Sequence, residues 1–234
     1  MGPNSRAVLT QITDADLGND AFGFGWSRTI GVKTTRGEID VLALRMTYVG
    51  ELGWELYVPY ENAVALHDAL AEAGEAHGLH HAGYHAMNTL RLESGYRHWG
   101  HDITDEDTPL EAGLGFAVAW DKAGGFRGRE ALLAERDEPR RKRLIQFRVE
   151  DPDRLLYHDE PILRNGEIVG RTSSGMWSYV EDRALAMGYL EHGDGVTRDW
   201  LDAGEFAIEV ATQAIPATPS IRSFYDPTNQ RVRM

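Results

Sequence analysis

Apolar positions change their spacing several times along the first hundred residues. Val8, Leu9 and Ile12 stand at helical spacing behind Asn4 and Ser5, residue types that cap helix starts, so 4–12 is expected to be a short helix. A loop of glycines and aromatics follows, Phe22-Gly23-Phe24-Gly25-Trp26. The pattern then turns to strands at 28–34, at 38–48 beyond Arg36-Gly37, and at 54–58 beyond the tight corner Gly50-Glu51-Leu52-Gly53. Two antiparallel pairs are the natural reading. Pro59 stops the last strand. Val64, Leu66 and Leu70 return to helical spacing over 61–73, with Gly74 as a stop. A further helix is expected over 82–93, with Tyr84, Met87, Leu90 and Leu92 on its buried side and Gly95 at its end. Thr108-Pro109-Leu110-Glu111 has the form of a capped start with proline at the first helical position, and 126–135 is another short helix.

The window 135–143 is almost wholly charged and carries Pro139, which places a boundary there. Beyond it the pattern is all strand. Residues 144–149 alternate, and Asn165-Gly166 sits between two apolar runs, a strong short-range hairpin signal. Residues 184–190, 206–210 and the neighbourhood of Ile215 add short strands. The fold class is therefore α+β, with a mixed domain over 1–138 and a small C-terminal β-barrel over 139–234.

Composition narrows the function. With 234 residues, 42% hydrophobic and 26% charged, the chain can bury an ordinary globular core. A net charge of −13 disfavours phosphate backbones, so nucleic acid is not an expected partner. The absence of cysteine removes disulfides, thiolate metal sites and a Cys nucleophile, and agrees with a cytoplasmic location. No apolar run approaches the roughly 18 residues of a membrane span, and residues 1–6 carry no signal-peptide core.

Catalytic fingerprints of phosphate loops, dinucleotide loops, nucleophile elbows and zinc helices are missing. His77, His80, His81 and His85 crowd one window, but Gly78 and Gly83 break the helix a ligand pair would need, so no metal site is expected. His98 and His101 flank Trp99-Gly100 and are read as structural. The stretch 47–59 is the informative one. It sets Tyr48, Trp54 and Glu55 around a two-glycine corner. A carboxylate there suits a flat heterocycle with a donor edge, because an amino-pyrimidinone offers two adjacent N–H groups, and aromatics cover ring faces. A salt-bridged structural Glu55 is the alternative.

Residues 47–59, followed by 83–103, resemble the glycine-cleavage T-protein (aminomethyltransferase) family. They are closest to the folate domain behind the FAD module of dimethylglycine and sarcosine dehydrogenases. The runs 2–9, 13–17, 108–114, 172–175 and 215–218 fit the same pattern in order. The resemblance implies a folate-binding core, here lacking its N-terminal portion, followed by the barrel. It implies a tetrahydrofolate-binding module that captures, as 5,10-methylenetetrahydrofolate, the carbon an upstream flavin domain releases from an N-methyl amine. FAD would sit on that domain or on a partner subunit, not on this chain. The family carry-over puts Glu55 on the pterin edge and Tyr48 on the pocket wall, with Trp54 and Trp99 as further cofactor-binding candidates.

No catalytic residue is assigned, because the family's Asp corresponds to a position upstream of residue 1. Met87 stands where T-proteins carry an Arg, and Arg97 is the candidate partner for the folate's anionic tail on charge alone. A non-catalytic folate-binding or regulatory protein of the same fold is the second hypothesis. Exposed apolar surface, covered by a partner or by a second copy, is expected in either case.

Overall fold

In the computed structural model, which describes residues 1–234, an antiparallel sheet is built from β1 (Ser27–Thr34), β2 (Gly37–Leu44) and β3 (Glu55–Tyr57). Both expected pairings form, with Ile30 opposite Val41 and Leu44 opposite Glu55. One face packs Ile30, Val32, Val41, Ala43 and Leu56 against α1 (Ser5–Thr10) and α2 (Ala63–Glu75), with Leu9, Leu66 and Ala69 as their counterparts. Each fully buried Val, Leu or Ile among them contributes about 1.5–3 kcal/mol by leaving water. The opposite face is open: Leu42 and Tyr57 lie across from each other and are exposed, as are Trp26 and Met46 nearby. This is the exposed apolar surface anticipated above.

Two boundaries differ from expectation. β2 ends at Leu44 and does not continue to 48, because Arg45 pairs its backbone with the Gly25–Trp26 loop and sends its side chain into the core. Val64 is exposed because α2 begins only at Ala63, leaving the inward face to Ala65, Leu66 and Ala69.

These elements belong to one unit, Met1–Met87 with Thr228–Met234; Asn88–Pro227 forms a second. In the second, six strands close an antiparallel barrel in the order β4-β7-β6-β5-β8-β9. They are β4 (Lys142–Val149), β5 (Pro161–Arg164), β6 (Glu167–Ser178), β7 (Arg183–Glu191), β8 (Phe206–Val210) and β9 (Gln213–Ser220). Ile145, Phe147, Ile162, Ala186, Leu190 and Ile208 fill the interior. Leu144, Leu185 and Met187 on the outside are covered by Leu92. Burial on both faces explains why β7 reads as an almost continuous apolar run. The Asn165-Gly166 turn joins β5 to β6 with φ of 51° and 85°, the left-handed pair that a two-residue hairpin demands.

The helices of this region are shorter than their patterns. The start at Thr108 makes a reciprocal cap, with Thr108 N donating to Glu111 Oε2 and Glu111 N to Thr108 Oγ1, yet only one turn forms before Gly113 at φ +69° ends it. α3 (Tyr84–Glu93) buries Thr89, Arg91, Leu92 and Glu93, whereas Tyr84 is exposed. α4 spans Arg129–Arg136, and α5 spans Arg198–Asp202 with Thr197 capping it. No helix is long and apolar enough to cross a membrane.

Candidate functional site

The two-glycine corner is fixed before any functional group is considered. Gly50 has φ +74°, a conformation that L side chains rarely adopt. Beyond it the Leu52 carbonyl accepts from Gly2 N (2.8 Å) and Ser5 Oγ (2.7 Å), which ties the corner to the start of α1. The chain leaves this anchor as β3, and the two-residue repeat of a strand then sorts the side chains. Leu56 turns to the core beside Trp54, while Glu55 and Tyr57 face the open side of the sheet.

Glu55 is half-buried there. Its Oε2 accepts a hydrogen bond from the Tyr57 hydroxyl at 2.6 Å, and Leu44 is its cross-strand neighbour. That hydrogen bond, and then the carboxylate's charge, push the Tyr57 phenol above its ordinary pKa. Tyr57 is absent from the residues singled out by sequence; its position two residues after Glu55 on the same strand face is the signal that finds it. An anchored carboxylate with a phenol on one oxygen, beside Leu42 and Leu44 on the open face of the sheet, can accept from a planar donor edge.

Trp54 follows a different course. It is 7% exposed, meets Phe22 edge-on with centroids 6.2 Å apart, and has the guanidinium carbons of Arg6 and Arg45 at 5.9 and 5.8 Å from its ring. With Val8, Leu9, Leu56 and Leu70 it lines a cleft of about 470 Å³ on the core side of β3. The structure thus separates Trp54 from its sequence neighbour Glu55, placing them on opposite faces. Tyr48 is half-buried in the segment between β2 and the corner. Trp99 lies in the second unit, 67% exposed, where its backbone bridges to Ile103.

The second unit holds a polar core that the apolar pattern does not reveal. Arg91 and Asp102, 1% and 0% exposed, form a buried ion pair. Arg91 also donates to Asn88 Oδ1 (2.6 Å), Tyr96 O (3.1 Å) and Ser174 Oγ (2.7 Å). Asp102 accepts from Ser173 Oγ (2.5 Å) and His98 N (2.9 Å). Glu93 accepts from Ser178 Oγ and Val180 N. The Thr172-Ser173-Ser174-Gly175 motif is therefore partly a set of partners for buried charge. Arg97 donates to Ala112 O and Gly95 O, and burial lowers its pKa. Of the histidines, His67 and His81 stack at 5.3 Å, and no three His, Asp or Glu side chains gather as a metal would need.

The GCVT N-terminal domain model matches residues 1–122, and the model of the glycine cleavage T-protein C-terminal barrel domain matches residues 142–226. The human mitochondrial sarcosine dehydrogenase is 39% identical over 234 residues, covering 99% of this chain and 25% of the relative. The human mitochondrial dimethylglycine dehydrogenase is 39% identical over 189 residues, 81% of this chain and 21% of the relative. The chain thus spans about a quarter of the length of these curated relatives. Among solved structures, the glycine cleavage system aminomethyltransferase T of Bartonella henselae superposes with a TM-score of 0.70 at 27% identity, over 91% of this chain and 54% of that one. With both models matched in order and the barrel closed as the second requires, the chain belongs to the glycine cleavage T-protein (aminomethyltransferase) family.

Proposed function

We propose that this chain is the tetrahydrofolate-binding module of an amine-demethylating system. The supporting observation is Glu55, a carboxylate rooted in the corner, held on one oxygen by Tyr57 and facing the open side of the sheet. The donor set fits the group. The amino-pyrimidinone edge of a pterin brings two N–H donors, and a carboxylate accepts both. Leu42, Leu44 and Tyr57 supply an apolar floor beside it, and Tyr48 takes the pocket-wall role that the family resemblance gives it. When bound, tetrahydrofolate supplies the nitrogens that take up a one-carbon unit as 5,10-methylenetetrahydrofolate. The chain's own part is positional. Glu55 orients the ring, Tyr57 keeps the carboxylate aimed, and the sheet face excludes water from one side of the ring. An iminium or formaldehyde is already electrophilic and needs placement more than activation. Flavin chemistry is assigned to a dehydrogenase domain or subunit, in keeping with the relatives' names.

Titration with tetrahydrofolate, followed by tryptophan fluorescence, tests this. Glu55→Ala is expected to weaken binding by about 1.5–3 kcal/mol, the range for hydrogen bonds to a charged group. Equal affinity in the variant removes Glu55 from the site. Formaldehyde condensation with tetrahydrofolate, compared with the protein-free rate, tests turnover. Intact binding without excess rate assigns the chain to the non-catalytic folate-binding reading.

A further inference from the structure

Arg45, 1% exposed, is with Arg91 one of the two largest fully buried side chains of the protein and lies one residue from the cross-strand partner of Glu55. A guanidinium removed from water needs acceptors, and a buried cation is costly without them. The acceptors of Arg45 are main-chain oxygens: Phe22 O takes Nη1 at 2.6 Å, and Met234 O takes Nη2 at 2.9 Å. Arg6 converges on the same Met234 oxygen at 2.6 Å. Burial and the neighbouring Arg6 cation both lower the Arg45 pKa. Arg45 and Arg6 close on the Trp54 ring from 5.8 and 5.9 Å.

Met234 lies in Thr228–Met234, a segment that packs with the first unit although it follows the barrel in sequence. Val232 is buried at 2% exposure, Asn19 Nδ2 donates to Arg233 O at 3.3 Å, and Arg231 pairs with Glu51 of the glycine corner at 3.4 Å. The segment therefore touches the corner directly at Glu51 and indirectly through Arg45 and Trp54. The first line ends at the corner from which the chain leaves as β3, and the second at Trp54, the residue before β3 begins.

We propose that Thr228–Met234 is a strap that positions Glu55, and that Arg45 is the positioning residue through which it acts. This rests on the reading of Glu55 as the pterin carboxylate. Without the strap, Arg45 loses one of its two main-chain acceptors, the contacts of Arg45 and Arg6 with the Trp54 ring loosen, and the three-residue strand β3 loses its support from the core side.

The test uses the full chain, a chain ending at Pro227, and Arg45→Met. Amide hydrogen exchange in the unliganded proteins reads the strap, and tetrahydrofolate titration reads its consequence. Removing the strap and replacing Arg45 are each expected to speed exchange at Glu55–Tyr57 at least tenfold, with the barrel strands unchanged. Each is also expected to weaken folate binding about tenfold. The two together should do little more than either alone, because they act on one contact. A saturating peptide of sequence Thr-Asn-Gln-Arg-Val-Arg-Met should restore the strapless chain and leave Arg45→Met unaffected. Unchanged exchange at β3, or faster exchange with unaltered affinity, overturns the proposal. If the intact chain binds no tetrahydrofolate, the pterin reading falls while exchange still decides the strap. Should Arg45→Met not fold, Arg45→Lys takes its place, keeping the charge while losing the two-armed donor geometry.

Discussion

Tyr57 donates to Glu55 across one strand repeat, and that bond ties the ionisation of the phenol to the carboxylate. The phenol is exposed, so the coupling reports geometry more than stability. Its pKa is raised in the folded chain, first by the hydrogen bond and then by the charge of Glu55. The associated stabilisation is complete below the unfolded value of about 10 and is lost as pH rises through the folded value. NMR titration of the Tyr57 ring is expected to show ionisation later than in an unstructured peptide, and Glu55→Gln should bring it back toward the ordinary range. At Asp102 the consequence is stability. Asp102→Asn leaves Arg91 as a buried cation short of its counter-charge, and should cost about 3–5 kcal/mol. Joint replacement by Arg91→Met and Asp102→Leu should recover much of that loss, since two apolar groups leave no orphaned charge. Urea unfolding of the two variants beside the unaltered chain measures both effects.

Elements were legible in the sequence where their determinants are local. The Asn165-Gly166 hairpin was readable because its left-handed turn geometry selects those two residue types, whatever surrounds them. The alternation of β4 and the run of β7 were readable because burial writes itself into apolar spacing. The apolar pattern of α3 finds Leu92 on its buried side but not the charged residues beside it. Arg91 and Glu93 occupy that side because partners 11 to 87 residues away in the chain satisfy them, and no local pattern carries such distances. The turn at Thr108 shows the limit of capping signals. Its cap is complete, but five residues after Thr108 the chain passes through a left-handed glycine at Gly113. The two-glycine corner was half legible. The glycines and Glu55 stand out in sequence, but the side to which each neighbour turns depends on where β3 begins. That start, at Glu55 with Trp54 inward, follows from core packing.

The matched family models and the packing of the chain divide the molecule differently. The N-terminal model runs to residue 122, yet residues from Asn88 onward pack with the barrel. Leu92 covers Leu144, Leu185 and Met187, the Leu92 carbonyl accepts from Gln146 Nε2, and Arg91 and Glu93 hold Ser174 and Ser178. A fragment of residues 142–226 would bare that apolar face and strip these partners from the serines. Asn88–Pro227 keeps all of them and is continuous in sequence. It is therefore expected to unfold cooperatively by itself, whereas 142–226 should be less stable by several kcal/mol or aggregate. The first unit is not continuous, because Thr228–Met234 completes it. Met1–Met87 alone lacks one of the two acceptors of Arg45 and the cover over Val232's site, and a unit of that size has little stability to spare. Circular dichroism of this fragment should show a broad, weak transition that sharpens when the seven-residue strap is supplied as a separate peptide. A sharp transition without the peptide would mean that the sheet, α1 and α2 suffice by themselves, and that the return of the chain from the barrel adds nothing to their stability.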